Sequence, residues 1–171
     1  MPHLPPFRIA LWQGPSPAGE VEAAFAALEA ALRAGAAMGA RVLVAPELFL
    51  PGYNHPDLAA LAQTRGGAWH ARLAALAKGV GCGLALGYAE RAGETLYNSA
   101  VVFGPDGGEV AHYRKIQLYG PREKALFRAG DGYAVFDLGG VRTAVLICYD
   151  VEFAPHIAAL AARGVQVILA P

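Results

Sequence analysis

The stretch from Val141 to Phe153 does most to limit what this chain can fold into. Val141, Thr143, Val145 and Ile147 alternate with Arg142, Ala144 and Leu146. Their β-branched enrichment reads as a strand, buried on both faces near its end. Asp150 and Glu152 then supply an N-cap and an acidic first turn. Phe153, Ile157 and Leu160 come next at helical spacing. Cys148 therefore falls on a strand-to-helix turn, which lifts a side chain out of a sheet toward a helix N-terminus. There the dipole and free N–H groups favour a thiolate and a developing oxyanion. A buried structural cysteine fits the same stretch equally well, because free Cys is among the most buried residue types.

The rest of the chain supplies an α/β setting for that turn. Phe7 to Gln13 reads as a strand, closed by Pro15 and Pro17. Val21, Phe25, Leu28, Leu32 and Gly35 mark a helix from about Gly19 to Met38. Arg41 to Ala45 is a short apolar strand of the parallel-sheet kind, which completes a β–α–β unit. Pro46 to Asn54 is a loop. A second helical region spans Asp57 to Lys78, broken near Gly66 and Gly67. Gly83–Ala89, Leu96–Phe103 and Glu109–Arg114 read as hairpin strands, with a strong turn at Pro105–Gly108. Lys115 to Asp131 reads as a long loop, and loops of that length are usually functional or disordered. Another hairpin pairs Tyr133–Leu138 with Val141–Ile147. A helix at Phe153–Arg163 and a strand at Val165–Leu169 end the pattern. The expected fold is a single domain over residues 1–171, with mixed sheets covered by helices.

Composition narrows the functional classes. The 171 residues carry 14 basic and 14 acidic side chains and no basic run, so nucleic acid is not the expected partner. No apolar run reaches the length of a membrane span, and the N-terminus lacks the pattern of a leader. A cytoplasmic location is expected. Two cysteines, Cys82 and Cys148, make no disulfide framework. The hydrophobic share of 55% is high and the charged share of 16% is low, as suits a large core or apolar surface meant for a partner.

Three strands each lead into a distinctive polar residue: Glu47, Lys115 and Cys148. Sites in open α/β sheets form beyond the carboxyl ends of strands. A thiol nucleophile, a carboxylate to take and return its proton, and an ammonium to stabilise a tetrahedral intermediate make a catalytic set. Taken singly, Glu47 reads as a surface turn residue, Lys115 as a solvated charge beside Arg114, and Glu123 as a partner of Arg122 or Lys124. His156 lies one turn beyond Cys148 on the helix leading away, which makes a Cys–His pair the lesser reading. The histidines 3, 55, 70, 112 and 156 are scattered. No cluster has metal-ligand spacing and no glycine-rich loop has a nucleotide-binding form.

Three motifs carry a resemblance. Pro46-Glu47-Leu48-Phe49-Leu50-Pro51-Gly52-Tyr53, Tyr113-Arg114-Lys115-Ile116-Gln117-Leu118 and Leu146-Ile147-Cys148-Tyr149-Asp150 resemble, in order and at similar spacing, the three signatures of the nitrilase superfamily of carbon–nitrogen hydrolases. The resemblance implies that Cys148 is the nucleophile, Glu47 the general base and Lys115 the stabiliser of the intermediate. Glu123, ahead of Phe127-Arg128-Ala129-Gly130, matches a further family glutamate that helps orient these groups. Tyr149-Asp150 after the cysteine looks like the amidase and carbamoylase branches rather than the Trp-Glu of nitrile-acting members. The resemblance further implies an α-β-β-α sandwich that forms homodimers. The substrate it implies is a small aliphatic amide, hydrolysed through a cysteine thioester without cofactor or metal. N-carbamoyl or nitrile hydrolysis on the same residues, and a non-catalytic fragment or binding module, are the alternatives. Family domains are longer than this chain. The expectation is therefore a sandwich incomplete at its C-terminal end, with Val167, Ile168 and Leu169 left open or covered by another chain.

Overall fold

The strands alternate between two cores. In a computed structural model describing residues 7–171, β1 (Ile9–Leu11), β2 (Val42–Val44) and β3 (Gly83–Ala92) run parallel. β4 (Thr95–Phe103) and β5 (Glu109–Arg114) continue the sheet antiparallel, in the order β1-β2-β3-β4-β5. Successive side chains on a strand face opposite ways. Leu43, Leu84, Leu86 and Val101 accordingly meet α1 (Val21–Ala37) and α3 (Ala68–Val80), through Phe25, Leu28, Leu32, Trp69 and Leu73. Their neighbours Val42, Val44, Ala85, Ala100 and Val102 face the other way, into a core shared with Leu138, Ala144, Leu146 and Leu169. That two-sided burial is why these strands read as continuous apolar runs. Leu28 and Leu32 are fully buried, each worth about 1.5–3 kcal/mol of transfer free energy.

The second sheet has the order β6-β7-β8, from β6 (Val135–Leu138), β7 (Val141–Val145) and β8 (Val167–Leu169). β6 and β7 form the expected hairpin, and β7 pairs in parallel with β8. The parallel connection runs through α5 (Ala154–Ala161), whose Leu160 enters the inter-sheet core. The layers are helix, sheet, sheet, helix, the sandwich that the resemblance implied. A third cluster joins Leu48, Leu58 of α2 (Leu58–Leu61), Ala89 and Phe127 beneath the loops at one sheet edge.

Four local expectations are corrected. The segment after Lys115 is not a plain loop: α4 (Gly120–Leu126) forms within it, started by Pro121 with its preset φ and held down by Leu126 and Phe127. Cys148 does not open an α-helix. A 3₁₀ turn spans Cys148–Glu152, and α5 begins only at Ala154, with Phe153 at its N-cap and no side-chain cap. Asp150 is thereby freed for other partners. On α5 the buried face is His156 and Leu160, while Ile157 is exposed. Finally, β8 lies at the edge of its sheet among the described residues, as an incomplete sandwich requires, but its three residues are not all open. Leu169 is buried, and Val167 and Ile168 are half-buried.

Gly87 on β3 shows how tightly the Glu47 loop docks on the first sheet. A Cβ there would sit 2.5 Å from Leu48 N, 2.7 Å from Glu47 Cα and 2.7 Å from Pro46 O, all backbone atoms. Gly87→Ala is expected to cost about 1–3 kcal/mol of stability by overpacking and to displace Glu47. Thermal unfolding measures the first effect. A variant as stable as the parent would show that the loop yields freely.

Candidate active site

The strand directions set which residues can meet. β2, β3 and β5 point the same way, so their carboxyl ends share one sheet edge, and the antiparallel β4 begins there. Glu47 lies just beyond β2, Lys115 directly after β5, and Asn98 near the start of β4. The carboxyl end of β7, from the second sheet, brings Cys148 to the same place.

Lys115 is the centre of the cluster. Its side chain is fully buried, and its Nζ donates to Glu47 Oε1 at 2.5 Å and lies 3.0 Å from Glu123 Oε2. Burial by itself would lower its pKa, but hydrogen bonds and charge from both carboxylates outweigh that and raise it. The ammonium is therefore held through the neutral range. The Lys115 backbone is pinned as well: its N–H donates 2.8 Å to Asn98 O, and its carbonyl accepts from Gly130 N at 2.8 Å. A Cβ on Gly130 would run into the Arg114 carbonyl, so only glycine permits that approach.

Each carboxylate has further donors. Glu47 Oε1 also accepts from Asn98 Nδ2 at 2.7 Å. Glu123, 3% exposed, accepts from the Tyr53 hydroxyl at 2.5 Å and from Tyr119 N at 2.9 Å. The Tyr53 hydroxyl pKa is raised, first by burial and then by Glu123, so the phenol keeps its proton and remains a donor. Behind Lys115, Arg114 forks onto Glu90 at 2.5 and 2.9 Å. Glu90 also meets Ser99 Oγ at 2.6 Å and His112 Nε2 at 3.1 Å. Burial would push the Glu90 carboxyl up, and these partners hold it below the usual range.

Cys148 is exposed, whereas Cys82 is buried with its thiol donating to Ala40 O at 3.3 Å. Cys148 adopts φ +42°, in the left-handed region, as does Leu48 next to Glu47 at φ +45°. A non-glycine residue there costs about 1–2 kcal/mol, so both turns are held by their surroundings. Asp150 does much of the holding. Its fully buried carboxylate accepts from Tyr113 OH at 2.8 Å, Gln117 N at 2.7 Å and Ile147 N at 2.9 Å. It thus ties the Cys148 turn to the segment after Lys115. His156 does not pair with Cys148. Its ring nitrogens meet Tyr133 OH at 2.7 Å and Gln117 Nε2 at 3.1 Å. Tyr119, Tyr149 and Phe153 form successive edge-to-face contacts beside the cysteine, at 5.1 and 5.0 Å.

The thiolate expected from a helix dipole is not favoured. Desolvation on the inner side of Cys148 and then the Glu47 carboxylate raise the thiol pKa, against a smaller opposing effect of Lys115. The resting group is a thiol beside a carboxylate. All four residues singled out in the sequence, Glu47, Lys115, Glu123 and Cys148, come together here. Asn98 and Tyr53 join them without having been singled out, and Asp150, read as an N-cap, joins them as the tie of the cysteine turn. The available signal was Asn98-Ser99, a polar pair inside an otherwise apolar strand.

Comparison with known proteins points the same way. The family model described as carbon-nitrogen hydrolase matches residues 8–171. A nitrilase of Pyrococcus abyssi is 40% identical over 148 residues, covering 84% of this chain and 56% of that protein. The hydrolase in the pqqF 5′ region of Pseudomonas protegens is 37% identical over 139 residues, covering 79% of this chain and 49% of that protein. The crystal structure of an amidase from Nesterenkonia sp. superposes with a TM-score of 0.88 at 32% identity, over 96% of this chain and 64% of that one. That amidase has been captured as a cysteine-to-alanine variant with butyramide. A glutamate-to-glutamine variant of it carries acrylamide added to its active-site cysteine. The chain spans about half the length of the curated relatives it matches.

The raised thiol pKa carries a sign. Neutralising the Glu47 anion removes a charge that opposes thiolate formation, so Glu47→Gln is expected to lower the pH midpoint of Cys148 alkylation by iodoacetamide. Peptide mapping across a pH series reads this out, with Cys82 as the unreactive internal control. A midpoint that stays or rises in Glu47→Gln would mean that the carboxylate does not act on the thiol.

Proposed function

The chain belongs to the carbon–nitrogen hydrolase family, and on that footing we propose that it carries the catalytic centre of a cysteine-dependent amidohydrolase acting on small aliphatic carboxamides. The observation that carries the reading is the fully buried Lys115 ammonium held between Glu47 and Glu123, with the Cys148 thiol under the charge of Glu47. Such a charged cluster is expensive to bury and serves no packing need. The butyramide complex of the Nesterenkonia amidase supports the substrate class, as does Tyr149-Asp150 after the cysteine.

In this reading Cys148 Sγ attacks the amide carbon while its proton passes to Glu47. The carbonyl oxygen gathers negative charge, which Lys115 offsets. The C–N bond then breaks, and the Glu47 proton leaves with the nitrogen as ammonia. Water attacks the resulting thioester, giving its proton to Glu47. The acid departs and the thiol is restored. Glu123, through its contact with Lys115, keeps the ammonium placed between the two carboxylates. A nitrile substrate has one observation in its favour, the similarity to the Pyrococcus abyssi nitrilase; N-carbamoyl cleavage is separated by carbon dioxide release. A non-catalytic module would release no ammonia from any substrate.

The test is ammonia release from a panel of aliphatic amides and nitriles. Glu47→Gln should lower turnover by about two to four powers of ten while making Cys148 easier to ionise. Turnover near the parent level would remove Glu47 as the base. Lys115→Ala should lose activity and about 3–5 kcal/mol of stability together, because the buried Glu123 and the partly buried Glu47 lose their counter-ion.

We propose further that the chain assembles as a homodimer. The exposed Val151 and Ile157, with the half-buried Val167 and Ile168 of β8, are apolar surface suited to a second copy. Light scattering at micromolar concentration should give twice the 17.8 kDa chain mass; monomer alone would remove the proposal.

A further inference from the structure

The two oxygens of Glu47 are not equivalent. Oε1 accepts both from Lys115 Nζ at 2.5 Å and from Asn98 Nδ2 at 2.7 Å. Among the described residues, nothing else donates to this carboxylate from a backbone or side-chain nitrogen. Two donors on one oxygen restrain the carboxylate and leave Oε2 without a nitrogen donor among the described residues.

Asn98 is an unusual residue to find doing this. It is 1% exposed, on a strand otherwise built to fill two cores. Its Nδ2 must be the atom that faces Glu47, since a carboxylate only accepts. That leaves Oδ1 buried with no partner. An orphaned buried acceptor costs about as much as a lost hydrogen bond, and an apolar residue of similar size would avoid it. The same residue places Lys115 through its backbone, because Asn98 O accepts the Lys115 N–H at 2.8 Å. One strand position therefore sets both the carboxylate and the ammonium. Its neighbour Ser99 reaches Glu90 on the far side of the strand, which fixes the β4 backbone at this point.

We infer that Asn98 is the positioning residue of the proposed general base: it anchors Glu47 Oε1 so that Oε2 is presented to Cys148. The inference rests on the reading of Glu47 and Cys148 given above. The titratable groups around Glu47 are Lys115 and Cys148, with Tyr53 and Glu123 beyond them. None of these replaces the anchor that Asn98 supplies from β4.

The experiment measures Cys148 alkylation by iodoacetamide against pH in the parent chain, Asn98→Ala, Glu47→Ala and the double variant, with thermal unfolding and ammonia release from butyramide alongside. Without its anchor Glu47 no longer holds its place beside the thiol, so its charge weighs less there, and Asn98→Ala should lower the alkylation midpoint toward that of Glu47→Ala. In the Glu47→Ala background the same change should do nothing, because residues that act through one another are not additive. For turnover, kcat should fall on the order of 10²-fold with KM little changed, as for a misplaced catalytic group. Should Asn98→Ala not fold, Asn98→Leu decides: it keeps the buried volume, removes the donor without adding a charge, and should lower the midpoint in the same way. A midpoint unmoved by these changes, or moved equally with and without Glu47, overturns the positioning role. A parent chain that alkylates as expected but hydrolyses no amide overturns the proposed function alone, and the alkylation cycle still decides for Asn98.

Discussion

An ammonium with no access to water has to be held by something, and much of this fold is arranged around that requirement. Lys115 lies between Glu47 and Glu123, and the penalty of burying it falls only if both carboxylates arrive at hydrogen-bond distance. Glu47 comes from the loop after β2 and Glu123 from α4, so the sheet must bring those two segments to one edge. The parallel run of β2 and β3, continued by the β3–β4–β5 meander, does this. Glycine at 87 lets the Glu47 loop lie directly on β3, and glycine at 130 lets the segment after α4 return against Arg114. Neither approach is open to a residue with a Cβ.

The second sheet is bound to the first by more than apolar packing. Asp150, from the turn after β7, accepts from Tyr113 on β5 and from the Gln117 backbone beyond Lys115. Its third bond, from Ile147 N, closes the turn that holds Cys148 in its left-handed conformation. The thiol and the buried ammonium are thus registered to each other through a carboxylate that touches neither. His156 adds a second tie to the same segment through Gln117 and Tyr133.

This arrangement leaves the cysteine as a thiol beside a carboxylate. A 3₁₀ turn gives little dipole, since few peptide units line up, and the Glu47 charge opposes ionisation. Reactivity in such a site comes from a proton acceptor in the right place, not from a thiolate waiting in the free protein. Placement of the carboxylate then matters more than the field around the sulfur, and the contact from Asn98 bears on that placement.

Elements that rest on local pattern were legible in the amino-acid sequence. The α1 stripe of Phe25, Leu28, Leu32 and Gly35 is buried as its spacing required. The Pro105–Gly108 turn and the strand Glu109–Arg114 fell where the turn residues placed them. Glu47, Lys115, Glu123 and Cys148 could be read because polar residues stand out directly after apolar strands and within ordered motifs. Other features depend on partners far away in the chain, and these were settled by the packed sheets. Asp150 looked like an N-cap because Asp is a good one, but its carboxylate is drawn instead to Tyr113 and Gln117, whose positions no local pattern reveals. α4 is a short helix whose stability comes from Leu126 and Phe127 packing against distant residues rather than from its own propensity. The charge state of Cys148 is set by burial of its inner side and then by Glu47, and Glu47 is anchored by Asn98, 51 positions further along. Proximities of that kind exist only once the sheets have formed.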